Sequence, residues 1–303
     1  MQVAHLTRRP VHSSWASFSL PSMLRFLSRL PLPLLHALGA ALGWLAFVAS
    51  PTYRRRFLAN ARQAGFASSA VRGAVAHTGR MVAELPRLWF GAPPPWRWED
   101  GGCITRAYAA GRGILFLTPH LGGFEMSPQA LAADYGPAHG PMTILYRPAR
   151  QPWLARTMAQ ARSRPHLQAV PTTLAGVRQM LRALRRGEAV GLLPDQVPPE
   201  GLGLWAPFFG RDAYSMTLAA RLAQQSGATV LLAWSERLPR GQGFVVHVQE
   251  RAAPLPADLP AAVAALNADM EQLIHRCPTQ YLWGYARYKA PRAEPHTTGE
   301  TPA

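Results

Sequence analysis

Apolar and polar positions follow two different rhythms along this chain, and the change falls near residue 95. Before it the rhythm is helical. Residues 31–50, PLPLLHALGAALGWLAFVAS, carry no Asp, Glu, Lys or Arg, and a helix of that length roughly matches the ~30 Å hydrocarbon core of a bilayer. Residues 53–91 continue as amphipathic helices: a basic one begins at Tyr53, Gly65 breaks it, and a second runs from Val71 through Trp89. The cluster Gly91-Ala92-Pro93-Pro94-Pro95 then stops helix formation and marks a boundary.

From Ile104 onward short apolar runs alternate with longer helical patterns. Gly113–Thr118, Met142–Tyr146, Ala189–Leu193, Ala228–Trp234 and Phe244–Val248 read as strands, and residues 123–134, 151–162, 172–186 and 214–226 as helices. This order predicts an α/β sandwich with a mostly parallel central sheet, in which function collects at the carboxyl ends of strands. A last amphipathic helix covers 258–276, an aromatic and basic stretch follows, and residues 291–303 read as a disordered tail. There is no internal repeat.

The uncharged run suits either a spanning helix or one lying in the membrane interface, and Leu, Phe and Trp at helical spacing are also what a buried core helix uses. Arg25 and Arg29 precede it and Arg54, Arg55 and Arg56 follow it, so the flanks carry little topological information. A cleaved secretory signal fits less well, since the charged start is distant, no A-x-A site ends the run, and Pro51 follows directly.

Composition narrows the class. The chain is 48% hydrophobic and only 16% charged over 303 residues, enough for a large core and too apolar for extensive disorder. Its net charge of +16 draws it toward nucleic acid, acidic lipid head groups or an acidic carrier protein. Lys289 is the sole lysine, and a biased genome composition produces the same excess of arginine and alanine. No Walker motif, GxGxxG or recognised nucleic-acid motif occurs. Cys103 and Cys277 form no CxxC and have no ligand cluster beside them, so free thiols are expected, and neither metal nor cofactor.

The chemistry concentrates in ILFLTPHLGGFE. His120 follows a buried strand, on a turn whose Gly122 and Gly123 would let backbone approach a substrate, and Glu125 opens the next helix. A carboxylate five residues on can reach back to one imidazole nitrogen and fix the tautomer, leaving the other to take a proton from an attacking alcohol. The alternative is a His at a strand end beside an acid that merely favours a helix N-terminus. Arg147, ending its strand, offers fixed donors to a phosphate or an oxyanion. Asp195 and Gln196 sit at another strand end, where they shape an acceptor site or simply form a turn. Phe208, Phe209 and Gly210 are expected in an apolar wall for a chain or in the core. Arg162 and Arg164 are expected in an anionic-substrate patch or on a solvated helix face. Trp283, Tyr285, Arg287, Tyr288 and Lys289 suit a membrane interface or a glycolipid head group.

These pieces together resemble the lipid A late acyltransferases, the lauroyl and myristoyl transferases that add secondary chains to the lipopolysaccharide precursor. The resemblance is carried by His120 to Glu125, by Leu145-Tyr146-Arg147-Pro148, and by Leu193-Pro194-Asp195-Gln196. It continues through Ala206-Pro207-Phe208-Phe209-Gly210-Arg211 and closes with the segment from Gln280 to Lys289. Asn60-Ala61 replaces the family's usual Asn-Leu, and Tyr285-Ala286 stands where many members carry His and a basic residue. The resemblance implies a glycerolipid-acyltransferase-like sandwich at 52–290, behind a basic extension at 1–21 and a membrane-anchoring helix at 22–51. It implies His120 as general base oriented by Glu125, acyl carrier protein as donor, an anionic lipid A precursor as acceptor, and the cytoplasmic face of the inner membrane. No nucleic acid and no acyl-enzyme are expected.

Competing expectations are another acceptor (a glycolipid, aminolipid or lysophospholipid) and a non-catalytic basic protein that binds membranes or nucleic acid. A serine hydrolase would need a G-x-S-x-G elbow, and the chain has none.

Overall fold

The computed structural model describes residues 20–146, 151 and 164–293. Among these, nine strands form: β1 Trp96–Glu99, β2 Ile114–Leu117, β3 Met142–Tyr146, β4 Leu167–Pro171, β5 Ala189–Leu192, β6 Gly203–Phe208, β7 Arg211–Met216, β8 Thr229–Arg237 and β9 Phe244–Glu250. Seven of them make one sheet in the order β1-β9-β8-β2-β5-β3-β4. Strands β8, β2, β5, β3 and β4 run parallel, whereas β1 and β9 run the other way because β9 returns antiparallel to β8. The sandwich with a mostly parallel sheet is the expected one.

The central strands are Ile-Leu-Phe-Leu and Ala-Val-Gly-Leu, buried at every position, the mark of strands covered on both faces. One face packs Leu115, Leu117 and Leu192 against Phe57, Met180 and Leu266. The other packs Ile114, Phe116 and Val246 against Ile104, Met126 and Leu131.

All five expected strands are present, and β8 runs on to Arg237. Strands β1, β4 and the β6–β7 hairpin are additions. The hairpin turns at Phe209 and Gly210, both with positive φ, and pairing of 211–216 with 203–208 delays the helix expected from 214 until Leu218. Likewise the helix expected from 123 starts at Met126, since Gly122 and Gly123 are held by β8. The helix expected over 151–162 and most of the two chain ends lie outside the described residues.

The N-terminal helices are α1 Leu20–Leu27, α2 Leu32–Ala49, α3 Pro51–Gln63, α4 Ser68–Val71 and α5 Gly73–Phe90. Helices α2 and α5 cross with their backbones touching. A Cβ on Gly79 would lie 1.8 Å from the Gly39 oxygen, and one on Gly43 would lie 2.4 Å from the Val75 oxygen. The opposite face of α2 exposes Leu34, Leu38, Leu42, Leu45 and Val48, each 45–68% accessible. Only 28% of this helix is buried, so it is no core helix. Among the described residues it is the one helix long and apolar enough to cross a membrane.

Candidate active site

The register of the sheet assembles the site. Leu117 of β2 pairs with Leu192 of β5, so the residues three positions beyond each, His120 and Asp195, emerge side by side. Asp195 grips His120 twice: Oδ2 accepts from the main-chain N–H at 2.9 Å and Oδ1 lies 2.7 Å from Nδ1. An ionised carboxylate can only accept, so Nδ1 carries the ring proton and Nε2 presents its lone pair. The Gln196 side-chain amide sits 3.1 Å from Nε2 and donates to it.

Burial would raise the Asp195 carboxyl, but the His120 charge, its hydrogen bonds and the nearby Arg287 guanidinium outweigh that and hold it below the usual carboxylate range. Tyr281 hydrogen-bonds the same carboxylate. Burial first and the Asp195 charge second push its phenol well above the ordinary value, so it stays a neutral donor.

The carboxylate on the His120 ring is therefore Asp195, where the sequence pointed to Glu125. Glu125 sits just before the helix Met126–Asp134 and accepts from the Trp89 indole at 3.3 Å. Both ring nitrogens of His120 meet residues from the end of β5 instead, because strand pairing brings β5 to β2 more closely than the Gly-Gly turn folds Glu125 back. Gly122 and Gly123 also differ in role from the expectation. Their missing side chains admit β8 and β9, since a Cβ would lie 1.9 Å from the Ser235 oxygen and 2.2 Å from the Phe244 ring respectively.

His120 opens onto a cavity of about 750 Å³ whose polar lining includes Glu125, Gln196 and Arg221. Much of its lining is apolar, including Trp98, Phe116, Leu131, Met142, Ile144 and Val246. That volume falls within the range of about 300–1,000 Å³ typical of small-ligand sites.

Other expected site residues lie elsewhere. Phe208 and Phe209 pack in the core beneath Arg287 and against Trp283, and Gly210 forms the hairpin tip. None of the three lines the cavity; its apolar lining comes from the sheet, from Leu131 and from residues such as Leu174, Val177 and Leu218. Arg164 donates to the carbonyls of Leu88 and Gly91, serving the C-terminal end of α5 rather than an anion patch. Arg147 and Arg162 lie outside the described residues.

The closing aromatic and basic segment is not a surface cluster either. Trp283 and Arg287 are 1% and 2% exposed. Tyr285 accepts from the Val197 N–H at 3.0 Å, bracing the turn that carries Asp195 and Gln196. Arg221 is the cavity arginine that sequence reasoning missed, since its helix carried no distinguishing motif. The Asp195 role had a visible signal: Leu117-Thr118-Pro119-His120 and Leu192-Leu193-Pro194-Asp195 end two apolar strands with the same Leu-x-Pro frame.

Comparison with known proteins bears on this site. Residues 5–290 match the family model described as bacterial lipid A biosynthesis acyltransferase. The lipid A biosynthesis palmitoleoyltransferase of Escherichia coli (strain K12) is 27% identical over 187 residues, 61% of this chain and 59% of that protein. The lipid A biosynthesis lauroyltransferase of the same organism is 28% identical over 182 residues, 58% and 55% of the two chains. A lipid A biosynthesis acyltransferase of Haemophilus influenzae is 26% identical over 183 residues, 59% and 55%. The chain thus spans under two thirds of the length of the curated relatives it matches.

Proposed function

Because this chain belongs to the bacterial lipid A biosynthesis acyltransferase family, we propose that it transfers a fatty acyl chain from acyl carrier protein to a hydroxyl of a lipid A precursor. The observation that carries this reading is His120, its Nδ1 held by Asp195, on a cavity lined by both polar and apolar side chains.

In the proposed reaction the acceptor hydroxyl displaces the Gln196 amide and donates its hydrogen bond to Nε2. As its oxygen attacks the thioester carbonyl, His120 takes the hydroxyl proton and becomes an imidazolium that the Asp195 carboxylate stabilises. The tetrahedral intermediate collapses by breaking the C–S bond, and the leaving thiolate takes the proton back from His120. The ester is formed, the carrier thiol is released and the enzyme is restored, with no acyl group ever on the protein. Glu125 faces the acceptor as a second carboxylate, and Arg221 pairs with its phosphate as a charged donor. The acyl chain lies against Phe116, Leu131 and Met142, where each buried CH₂ contributes about 0.8 kcal/mol.

The same reading puts the protein on the cytoplasmic face of the inner membrane, with α2 lying in the interface. Its Leu-rich face is open while α5, carrying Arg80, Glu84 and Arg87, packs along the other. Driving α2 through the bilayer would drag the half-buried Arg80 and Arg87 into hydrocarbon, at a cost of about 2.5–3.5 kcal/mol each.

The test is acyl transfer by purified protein from acylated carrier protein to a phosphorylated glucosamine lipid, read by mass spectrometry. His120→Ala should lower turnover by about two to four orders of magnitude. A folded His120→Ala protein with near-normal turnover would refute the mechanism, and no transfer by the wild type would refute the substrates.

A further inference from the structure

Behind the His120 turn, away from the cavity, lies a buried ionic chain that the proposed reaction does not use. Arg237, the last residue of β8, is 2% exposed and pairs with Glu84 of α5, itself 1% exposed. The pair is two-pronged, with Nε to Oε2 at 2.7 Å and Nη2 to Oε1 at 2.5 Å. His36 of α2, 5% exposed, brings Nε2 to 2.8 Å from the same Oε2. On the far side Arg237 Nη2 donates to the Gly122 carbonyl at 3.0 Å. The Gly122 N–H donates to the Gln280 carbonyl, and the Gln280 side chain brackets the Arg237 main chain. His77, neutral, and the Arg80 guanidinium of α5 complete the polar surroundings.

Burial would raise the Glu84 carboxyl, but Arg237 and the His36 hydrogen bond hold it below the usual range, so the pair is ionic. Apolar side chains of similar volume would commonly fill such a space with no loss of stability. They could not hold the Gly122 carbonyl. Gly122 stands two residues after His120 and three before Glu125, and both its main-chain polar groups are engaged by this cluster.

We propose that Arg237, clamped by Glu84 and His36, is a positioning residue that couples the seating of the apolar helix α2 on α5 to the geometry of the His120 turn. The chain of contact runs from His36 through Glu84 and Arg237 to Gly122, entirely within the protein. It rests on the reading of His120 as the base, and its test carries a signal independent of transfer.

The full chain in nanodiscs of phosphatidylethanolamine and phosphatidylglycerol, with ¹⁵N-labelled histidine, supplies both readouts. The double variant Glu84→Leu/Arg237→Leu removes both charges together and should stay folded. Its kcat should fall about 100-fold, the scale of a displacement of about 1 Å, with KM within about twofold. The downfield Nδ1–H resonance of His120, assigned with His120→Gln, should broaden or shift. Arg237→Lys should not rescue it, because an ammonium cannot grip the carboxylate bidentately and also hold the carbonyl. If the double variant fails to fold, His36→Ala leaves the ion pair intact and decides alone, with an expected loss of about two- to thirtyfold in kcat and the same spectral change. A folded variant whose kcat and His120 resonances match wild type would overturn the proposal. Should the wild type transfer no acyl group, the proposed reaction fails while the His120 spectrum still tests the coupling.

Discussion

Replacing Asp195 by Asn changes one atom type at the centre of the site and nearly nothing in volume. The carboxylate accepts from the His120 main chain at 2.9 Å and from Nδ1 at 2.7 Å. The histidine side chain is 17% exposed and the aspartate 2%, so water screens the pair little. When His120 takes the acceptor proton, the new positive charge forms about 4 Å from the centre of the carboxylate charge, which at an effective dielectric of 20 is worth about 4 kcal/mol. Losing it should slow turnover by about 10³-fold. An amide that turns its NH₂ toward Nδ1 would add to the loss, since Nε2 would then carry the proton and cease to be a base. KM should change little, because Asp195 does not line the cavity. The assay is steady-state acyl transfer by Asp195→Asn beside Glu125→Gln, with circular dichroism melts on both. If Asp195→Asn keeps turnover within tenfold while Glu125→Gln loses a thousandfold, Asp195 is a structural anchor and the orienting role returns to Glu125.

Arg221→Ala should raise KM for a phosphorylated acceptor about tenfold or more, the worth of one charge-assisted hydrogen bond, and leave a dephosphorylated acceptor unaffected; equal effects on both would remove the phosphate contact. His77 has its pKa pushed down to about 3 by burial and by the Arg237, Arg80 and His36 charges, against 6.5 ordinarily. The unfolded chain therefore binds a proton that the fold refuses, so stability should decline as pH drops from about 6.5 toward 3. His77→Gln should flatten that part of a urea-midpoint profile, and an unaltered slope would contradict the assignment. Gly79→Ala should lower the melting midpoint, because its methyl meets the Gly39 carbonyl and overpacking costs about 1–3 kcal/mol; an unchanged midpoint would mean that the α2–α5 crossing adapts freely.

What could be read from the chain was what is local. Apolar runs of four residues marked β2 and β5 because strands buried on both faces are apolar throughout, and β3 was legible from its run Met142–Tyr146. The long helix at 259–276 was legible from its amphipathic repeat. Strands β1 and β4 were not, since edge strands such as WRWE alternate burial over too few residues to separate from a loop. The hairpin was not expected because residues 208–210 suited an apolar wall or the core, whereas Pro207 sits within β6 and Gly210 at its turn.

The site followed the same rule. His120 was found because strand, turn and glycines surround it within one short segment. Its partner was assigned to Glu125 because nearness in sequence is the only proximity a single chain displays. The pairing that brings Asp195 to His120 is set 75 residues away, by β2 and β5 lying side by side in a sheet that inserts β5 between β2 and β3. Arg287 was misplaced for a related reason. An arginine among aromatic residues suits a membrane surface, but this one is buried, donates from Nη1 to the Tyr214 carbonyl and from Nη2 to the Ser215 hydroxyl, and stacks on Phe208. Its charge thereby helps keep the Asp195 carboxylate ionised. Part of the basic excess that pointed outward to anionic partners thus acts inward, while Arg221 lines the cavity.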